Sequence, residues 1–453
     1  MSVNRQQLPV PGAARPLSFP SIHKTTLANG LGVWTVRHAN IPVVTLALLV
    51  RGGAAQDGSG HEGLSALTID MLDEGSGDRS AIDMHEALAR VGAQLDSDIG
   101  ADAAVLTVTA LARFAQPALS LLADITVRPS LRPADVERVR QLRLHRLTQL
   151  RDVPGAVADR AFLRLLYGSH PYGHTPLGSE ASLAALTPEA VVACHQRMLR
   201  PSESTLIVVG DCSHDEIVKL AADAFGDWSS AGRGGEVPMP EALVPPRLNI
   251  VPRAGAPQSE LRIGQIGVPR NIPDYHALVA ANMVLGGQFV SRINLKLREE
   301  RGLTYGARTS FDFRRLPGPF SLQVSVQTSG TVEAIRESLH EIEAIRGSRP
   351  VTREELELGV AALTHGYARS FETAEQVARA LTNIALYDLP DDYFVRFVPL
   401  VSAVTPGEVT RVMEKYLHPD RLTTLIVGDE AAIARDLDGL SLGAPNILSA
   451  DTF

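Results

Sequence analysis

The chain contains one unit of sequence twice. Residues 186–211, LTPEAVVACHQRMLRPSESTLIVVGD, align without gaps to residues 404–429, VTPGEVTRVMEKYLHPDRLTTLIVGD, which lie 218 positions further along. Thr-Pro near the start, a second Pro in the middle and Val-Gly-Asp at the end recur at the same places. An internal repeat constrains the fold more strongly than composition does. It predicts two homologous domains that arose by duplication.

Each copy of the repeat has the pattern of a helix followed by a strand. Thr187-Pro188 and Thr405-Pro406 start the helix, because Pro is well tolerated in a first helical turn. The later Pro stops the helix, and the β-branched apolar run that follows predicts a buried strand.

The boundary between the copies is marked by a change in composition. Residues 229–235, SSAGRGG, are rich in Gly and Ser, and four Pro follow between positions 238 and 246. Such a stretch is typical of a linker. We therefore predict an N-terminal extension at 1–19, a first α+β domain at 20–228, a linker at 229–247, a second α+β domain at 248–440 and a C-terminal tail at 441–453.

Strand and helix patterns are mixed within each half. Residues 32–50 predict two strands joined as a hairpin around Ala39-Asn40. Further strands are predicted at 104–110 and 320–326, and helices at 63–72, 81–91 and 133–150. The strict alternation of a doubly wound sheet is missing, so the fold class is α+β, with a mainly antiparallel sheet packed with helices in each domain.

Composition excludes several classes of function. The 453 residues are 45% apolar and 21% charged, as in a folded protein, and the net charge of −8 argues against binding to nucleic acid or to an anionic membrane. The sequence contains no run of roughly 18 apolar residues that could span a membrane. Cys194 and Cys212 are too few for a disulfide framework, and we interpret both as buried thiols. We expect a cytoplasmic protein, or a periplasmic one if a signal peptide has been removed.

Several short motifs occur in a characteristic order. They are NGL at 29–31, GLSAL at 63–67, HPYG at 170–173, LGG at 285–287 and LREERGLTY at 297–305. Together with the duplication, this succession resembles the pitrilysin/insulinase superfamily of zinc metallopeptidases, in the small two-domain branch that includes mitochondrial processing peptidase.

Active members of that superfamily carry an inverted zinc motif, His-x-x-Glu-His, on a first-half helix, and a distant Glu completes the site. On this chain the motif falls on residues 66–70, where Ala66 replaces the first His, Ile69 the Glu and Asp70 the second His. The helix that would supply the distant Glu has no carboxylate over 138–149, but has four Arg. The resemblance therefore implies that this chain holds no metal and no other cofactor.

The resemblance also points to two residues of the second half. In the superfamily an Arg and a Tyr seven residues apart hold the scissile peptide, and here they match Arg298 and Tyr305. The local pattern predicts a helix over 291–301 that ends at a left-handed Gly302, with Tyr305 near the head of the next strand. Both side chains are then expected to face one cavity.

The resemblance implies how these residues would act. Arg298 would orient the substrate backbone, and the Tyr305 hydroxyl would donate a hydrogen bond to the developing oxyanion. Gly286 and Gly287, which lack side chains, would let an extended peptide approach closely.

A chain with these two residues and no zinc ligands is expected to be the non-catalytic subunit of a heteromeric zinc metallopeptidase. Its partners would be a homologous, zinc-bearing subunit and a peptide substrate. Two alternatives remain open: a structural scaffold without peptidase role, and a peptide-binding homodimer that works alone.

Overall fold

Two six-stranded sheets, one in each half, organise the chain in the computed structural model, which describes residues 17–230, 235–241 and 245–450. The strands of the first half are β1 His23–Thr26, β2 Gly32–Arg37, β3 Val43–Arg51, β4 Gly75–Ser76, β5 Arg79–Ser80, β6 Gln94–Ile99, β7 Ala103–Leu111 and β8 Ser204–Gly210. The strands of the second half are β9 Leu248–Pro252, β10 Gln258–Ile266, β11 Ala307–Phe311, β12 Pro319–Gln327, β13 Thr423–Gly428 and β14 Asn446–Ile447. Strands β4 and β5 form a small separate ribbon.

Helices cover these sheets. Those of the first half are α1 Leu64–Asp70, α2 Ala81–Arg90, α3 Ala115–Val127, α4 Pro133–Arg151, α5 Pro154–Tyr167, α6 Glu180–Ala185, α7 Pro188–Met198 and α8 His214–Phe225. Those of the second half are α9 Tyr275–Asn282, α10 Arg292–Asn294, α11 Thr331–Ala344, α12 Arg353–Thr364, α13 Ala374–Tyr387, α14 Tyr393–Ser402, α15 Pro406–Tyr416 and α16 Glu430–Leu437. Helices α9 and α10 continue as π-helical turns over Met283–Gly287 and Leu295–Glu300.

The two sheets have corresponding strand orders. The first runs β1-β2-β8-β3-β7-β6, and the second, read from its other edge, runs β14-β9-β13-β10-β12-β11. The strand that ends each repeat, β8 or β13, has a parallel neighbour on one side and an antiparallel neighbour on the other. The repeated segments therefore occupy equivalent places, and the predicted α+β fold with two related, mainly antiparallel sheets is confirmed.

The helices of the repeat start as their sequence predicts. The Thr187 hydroxyl accepts a hydrogen bond from Ala190 N at 3.2 Å, and the Thr405 hydroxyl accepts one from Glu408 N at 3.3 Å. Each Thr is thus an N-cap, and the Pro after it fills the first helical turn.

The predicted hairpin at residues 32–50 is wrong in its pairing. Both strands exist, but β8 lies between them and pairs with β2 in parallel and with β3 in antiparallel orientation. Strand β8 is buried along nearly its whole length. An apolar strand of this kind is stable in the middle of a sheet, where both of its faces are covered.

Each half covers the sheet of the other with one helix. Helix α5 of the first half packs on the second sheet, where Val157, Ala161 and Phe162 belong to one apolar cluster with β9 and β13. Helix α13 of the second half packs on the first sheet, where Val377 and Leu381 belong to a cluster with β2, β3 and β8. The two halves are therefore joined by a reciprocal exchange of helices.

Some predicted features fall at the margins of the structure. Residues 1–16 of the predicted extension, 231–234 and 242–244 of the predicted linker, and 451–453 of the predicted tail lie outside the described residues. Strand β14, within the predicted tail, extends the second sheet.

Cys194 is buried as predicted, whereas Cys212 is only partly buried. Across the described ranges, none of the helices has the length and apolar character needed to cross a membrane.

Candidate functional site

Helix α1, which carries the degenerate zinc motif, is anchored at its start by a buried carboxylate. Asp57 accepts hydrogen bonds from Gly63 N and Ser65 N, both at 2.8 Å. Gly63 has φ +96°, and a Cβ there would lie 2.9 Å from Leu177 O. Burial raises the pKa of Asp57 although these hydrogen bonds oppose the shift. Nothing in the sequence pattern indicates Asp57, because it lies six residues before Gly63 and not at the N-cap.

The three motif positions on α1 have different surroundings. Ala66 and Ile69 are 1% and 2% exposed and are part of the buried interior of the first half. Asp70 is the last residue of the helix and forms an ion pair with Arg143 of α4. Arg143 also donates to Pro176 O at 2.8 Å, and its side chain is 11% exposed. A mostly buried cation therefore binds Asp70, the one carboxylate among residues 66–70.

These residues do not fit a zinc ion. A catalytic zinc needs about three protein ligands, and Ala66 and Ile69 have no donor atoms. Asp70 is already neutralised by Arg143, whose positive charge would repel a metal placed beside it. Within the ranges that the structure describes, no group of three or more His, Cys, Asp or Glu is arranged to hold a metal ion.

Arg298 lies in the π-helical turn that follows α10. Its Cζ is 4.0 Å from the centroid of the Phe289 ring, and its Nη1 donates to Glu299 Oε1 at 2.7 Å. The Arg298 side chain is 32% exposed, and Phe289 is 61% exposed. Because stacking engages the face of the guanidinium, its remaining N–H groups stay available to an acceptor from outside the chain.

Tyr305 is 94% exposed, and its hydroxyl makes none of the hydrogen bonds found among the described residues. The preceding helix ends at Glu300, one residue before the predicted end, and Gly302 has φ +63° as predicted. Tyr305 lies in the connection before β11 and not at the head of the strand. The reason is a local turn, in which Thr304 Oγ1 accepts from Gly306 N at 3.1 Å.

Arg301 has a different environment from Arg298. Its Nη2 donates to Glu337 Oε1 at 2.7 Å, and its Nε lies 3.3 Å from Glu333 Oε1. Arg301 is thus bound to acidic neighbours on α11, which makes it a suitable control for Arg298.

Gly286 and Gly287 form the end of the π-helical turn that follows α9. Gly286 is buried, and a Cβ there would lie 2.5 Å from Thr309 Oγ1 of β11. A Cβ on Gly287 would lie 2.8 Å from Asn282 Nδ2. Asn282 and Thr309 are themselves hydrogen-bonded at 2.8 Å. Close packing is therefore an internal reason for both glycines, against β11 for Gly286 and against Asn282 for Gly287, besides the predicted approach of a peptide.

A chamber of about 850 Å³ lies between the halves. Strands β6 and β7 line it from the first half, and α13 and the loop after β11 line it from the second half. Its charged lining residues are Asp96, Asp98, Asp102, Asp312, Glu375, Arg314 and Arg379. Strand β6 is the edge of its sheet, so its outer backbone groups can pair with an added strand. Arg298 and Tyr305 do not line this chamber.

Solved structures share this architecture, and other proteins are similar to this chain in sequence. The peptidase M16 inactive domain from Pseudomonas fluorescens has a TM-score of 0.84 at 25% identity, over 90% of this chain and 98% of that one. A protease from Helicobacter pylori has a TM-score of 0.82 at 18% identity, over 90% and 100%, which shows the fold alone. A Mycobacterium bovis protein described as an uncharacterized zinc protease is 25% identical over 341 residues, which cover 75% of this chain and 78% of the relative.

The chain is also similar to a mitochondrial-processing peptidase subunit and matches two families of peptidase domains. The Schizosaccharomyces pombe protein described as probable mitochondrial-processing peptidase subunit beta is 25% identical over 272 residues, 59% of this chain and 60% of its own. The family described as Insulinase (Peptidase family M16) matches residues 33–178. The family described as Peptidase M16 inactive domain matches residues 185–363. The two matches follow one another along most of the sequence, and the chain belongs to the peptidase family M16.

Proposed function

We propose that this chain is the non-catalytic subunit of a heteromeric zinc metallopeptidase. A homologous partner would supply the zinc and the Glu that activates water, and this chain would supply Arg298 and Tyr305 to the substrate. The observation that carries the proposal is the 94% exposure of Tyr305, whose hydroxyl has no partner among the described residues. A large aromatic side chain exposed in this way is suited to a contact outside its own chain, and so is the exposed Phe289 that stacks on Arg298.

The chemistry of the two side chains fits the proposed roles. A phenol hydroxyl can donate one hydrogen bond to the oxygen that becomes negative when water attacks a peptide bond, and such donors act mainly in the transition state. The Arg298 guanidinium, held over Phe289, can donate to backbone carbonyls of the substrate. These contacts exist before and during the reaction, so they bind substrate and transition state alike.

The degenerate motif supports the proposal that the zinc site lies in the partner and not in this chain. The ion pair of Asp70 with Arg143 leaves no ligand set for zinc at the motif positions, which supports the proposal that the partner supplies the metal. The relatives described as zinc proteases support peptide hydrolysis as the shared activity of the assembly.

A second candidate is a peptide-binding protein that works alone or as a homodimer. It is favoured by the 850 Å³ chamber with its edge strand β6, to which an extended peptide could add as a further strand. A scaffold role is the third possibility, and it would make Arg298 and Tyr305 dispensable.

The test is reconstitution with the M16 chain of the same organism that retains His-x-x-Glu-His. Each chain alone and the mixture are assayed for cleavage of a peptide library, and the mass of the mixture is measured. We expect cleavage only by the mixture, which should elute as a complex.

In the complex, Arg298→Ala should raise KM at least as much as it lowers kcat. Full activity of the partner alone would exclude the proposed subunit role. Full activity of complexes that carry Arg298→Ala or Tyr305→Phe would favour the scaffold.

A further inference from the structure

A second, smaller cavity lies close to the start of α1. It has a volume of about 160 Å³, and its polar side chains come from Glu62, Arg160, Arg164, His174, Thr175 and Ser179. Asp70 and Arg143 do not line it, so it is separate from the degenerate zinc motif. It shares His174 and Thr175 with the large chamber between the halves, so these residues form a wall common to both spaces.

Arg160 is the unusual residue of this cavity. It is 8% exposed, and each of its three guanidinium nitrogens is buried without a hydrogen-bond partner among the described residues. None of the ion pairs found in the described ranges includes it. Burial lowers the pKa of Arg160, with a smaller contribution from the charge of Arg151. A buried guanidinium carries up to five N–H donors, and leaving it unpaired is costly in free energy.

His174 has an unpaired nitrogen as well. Its Nδ1 lies 3.1 Å from Thr175 O, so Nδ1 carries a proton and donates to that carbonyl. Its Nε2 is buried without a partner within the described part of the chain. Nε2 can therefore accept from a ligand hydroxyl when the ring is neutral, or donate to a ligand oxygen when the ring is charged.

The charges around the cavity are predominantly positive. Arg164, one helical turn after Arg160, is exposed and donates to Gly168 O at 2.8 Å. Among the described residues that line the cavity, Glu62 alone has a carboxylate, and it accepts a hydrogen bond from Gly60 N at 3.2 Å. No bond between Glu62 and Arg160 is present among the described residues. The lining therefore has two guanidinium groups against one carboxylate, and the more buried guanidinium lacks a counter-charge.

We propose that this cavity is a binding site for a small oxyanion, a carboxylate or a phosphate, which pairs with the Arg160 guanidinium and reaches His174 Nε2. Carboxylates and phosphates match the planar fork of Arg with two parallel hydrogen bonds. Two sources have this chemistry. One is the carboxylate of a peptide that lies in the neighbouring chamber, and the other is free phosphate. The site does not depend on the proposed subunit role.

The full chain is titrated in a calorimeter with inorganic phosphate and with a pair of short peptides of one sequence, one ending in a free carboxylate and the other in an amide. Sodium chloride at equal ionic strength is the control. We expect saturable binding of phosphate, of the acid peptide or of both, and none of the amide peptide. Binding of the acid peptide alone identifies a peptide carboxylate as the ligand, and binding of phosphate alone identifies the free anion. Absence of binding by all three would overturn the proposal.

Substitution of Arg160 tests whether the ligand binds at this cavity. Arg160→Met should weaken binding of the oxyanion at least tenfold and should raise Tm in its absence, because a buried unpaired charge is removed. Arg160→Lys keeps the charge without the fork, and it should bind with intermediate affinity. Arg146→Met, at an exposed position of α4, should leave affinity unchanged. If Arg160→Met does not fold, the phosphate-dependent rise in Tm of the wild type and its reduction in Arg160→Lys are decisive. Equal affinity in wild type and the Arg160 variants would place the ligand elsewhere and refute the site.

Discussion

At the scale of single residues, we expect the ion pair between Asp70 and Arg143 to prevent zinc binding even when the motif residues are restored. Ala66→His, Ile69→Glu and Asp70→His together recreate the three motif residues, but Arg143 stays beside position 70. We expect the triple variant to retain much less than one zinc per chain after dialysis and to cleave no peptide. We also expect a lower Tm, because Ile69→Glu puts a carboxylate at a position that is 2% exposed. Elemental analysis and thermal unfolding measure both effects, and stoichiometric zinc would contradict the prediction.

Tyr305 should matter for chemistry and not for stability. In the complex with the zinc-bearing partner, Tyr305→Phe removes one hydroxyl, and we expect kcat to fall roughly 10²–10³-fold, as for single oxyanion donors. Tm should stay at the wild-type value because Tyr305 is 94% exposed. Arg301→Ala is the control, since its pairs with Glu333 and Glu337 are partly exposed and are worth at most about 1 kcal/mol. An unchanged kcat for Tyr305→Phe would exclude its role as an oxyanion donor.

At the scale of elements, the π-helical turn over Met283–Gly287 depends on close packing against β11. Gly286→Ala would bring a Cβ within 2.5 Å of Thr309 Oγ1, so we expect a loss of roughly 1–3 kcal/mol in the free energy of unfolding. Gly407→Ala is the matched control, because its Cβ would meet nothing within 4 Å in helix α15. That variant should be neutral or slightly stabilising. Denaturant unfolding compares the two, and equal stability would mean that the turn can move away from β11.

The packing of α9 against α14 makes stability depend on pH. Burial, and then the charges of Arg270 and Arg396, lower the pKa of His276 to about 4. An unfolded chain binds the proton near pH 6.5, whereas the folded chain does so only near pH 4. The contribution of His276 to stability is therefore present above about pH 6.5 and is lost as pH falls from there to about 4. Because solvent screens the partly buried ring, this contribution is smaller than the roughly 3 kcal/mol that the full shift in pKa would give.

His276→Phe should flatten this part of the stability curve, because the ring packs among Tyr393 and Phe397 and an aromatic replacement keeps that packing. Urea unfolding at several pH values between 7 and 4 measures the slope. The exposed His145 of α4, replaced by Phe, serves as the control and should keep the wild-type slope. Equal slopes in all three proteins would contradict the assignment.

Local patterns of the sequence predict helices and strands better than they predict which strands and side chains contact one another. The helix–strand units of the repeat, the left-handed Gly302 and the helix that carries Arg298 follow from residues a few positions apart. The insertion of β8 between β2 and β3 does not, because it depends on pairing across more than 150 residues. The same holds for the stacking of Phe289 on Arg298, the cap by Asp57 and the isolation of Arg160. Each of these features depends on tertiary contacts, which local sequence patterns do not specify.

At the scale of the whole molecule, the exchange of α5 and α13 should make the two halves unfold together. Leu381 of α13 is fully buried against the first sheet, so Leu381→Asp should destabilise both halves by several kcal/mol. Calorimetry should show one transition, shifted to lower temperature. Leu358→Asp, at a position of α12 that is 56% exposed, is the matched control and should shift Tm little. Two separate transitions, with only one affected, would contradict the prediction.

Because each sheet is covered by a helix of the other half, the two halves cannot be packed independently as the chain is synthesised. The first sheet has all its strands once Gly210 has left the ribosome, but Ala374–Tyr387, which covers one of its faces, is made much later. At roughly 5–20 residues per second, this delay is on the order of ten seconds. Helix α5 is in the opposite position, since it is made before the sheet that it covers. A nascent chain of this protein therefore carries an uncovered apolar sheet face for more than a third of its translation, and we expect chaperones to bind that face until α13 is made.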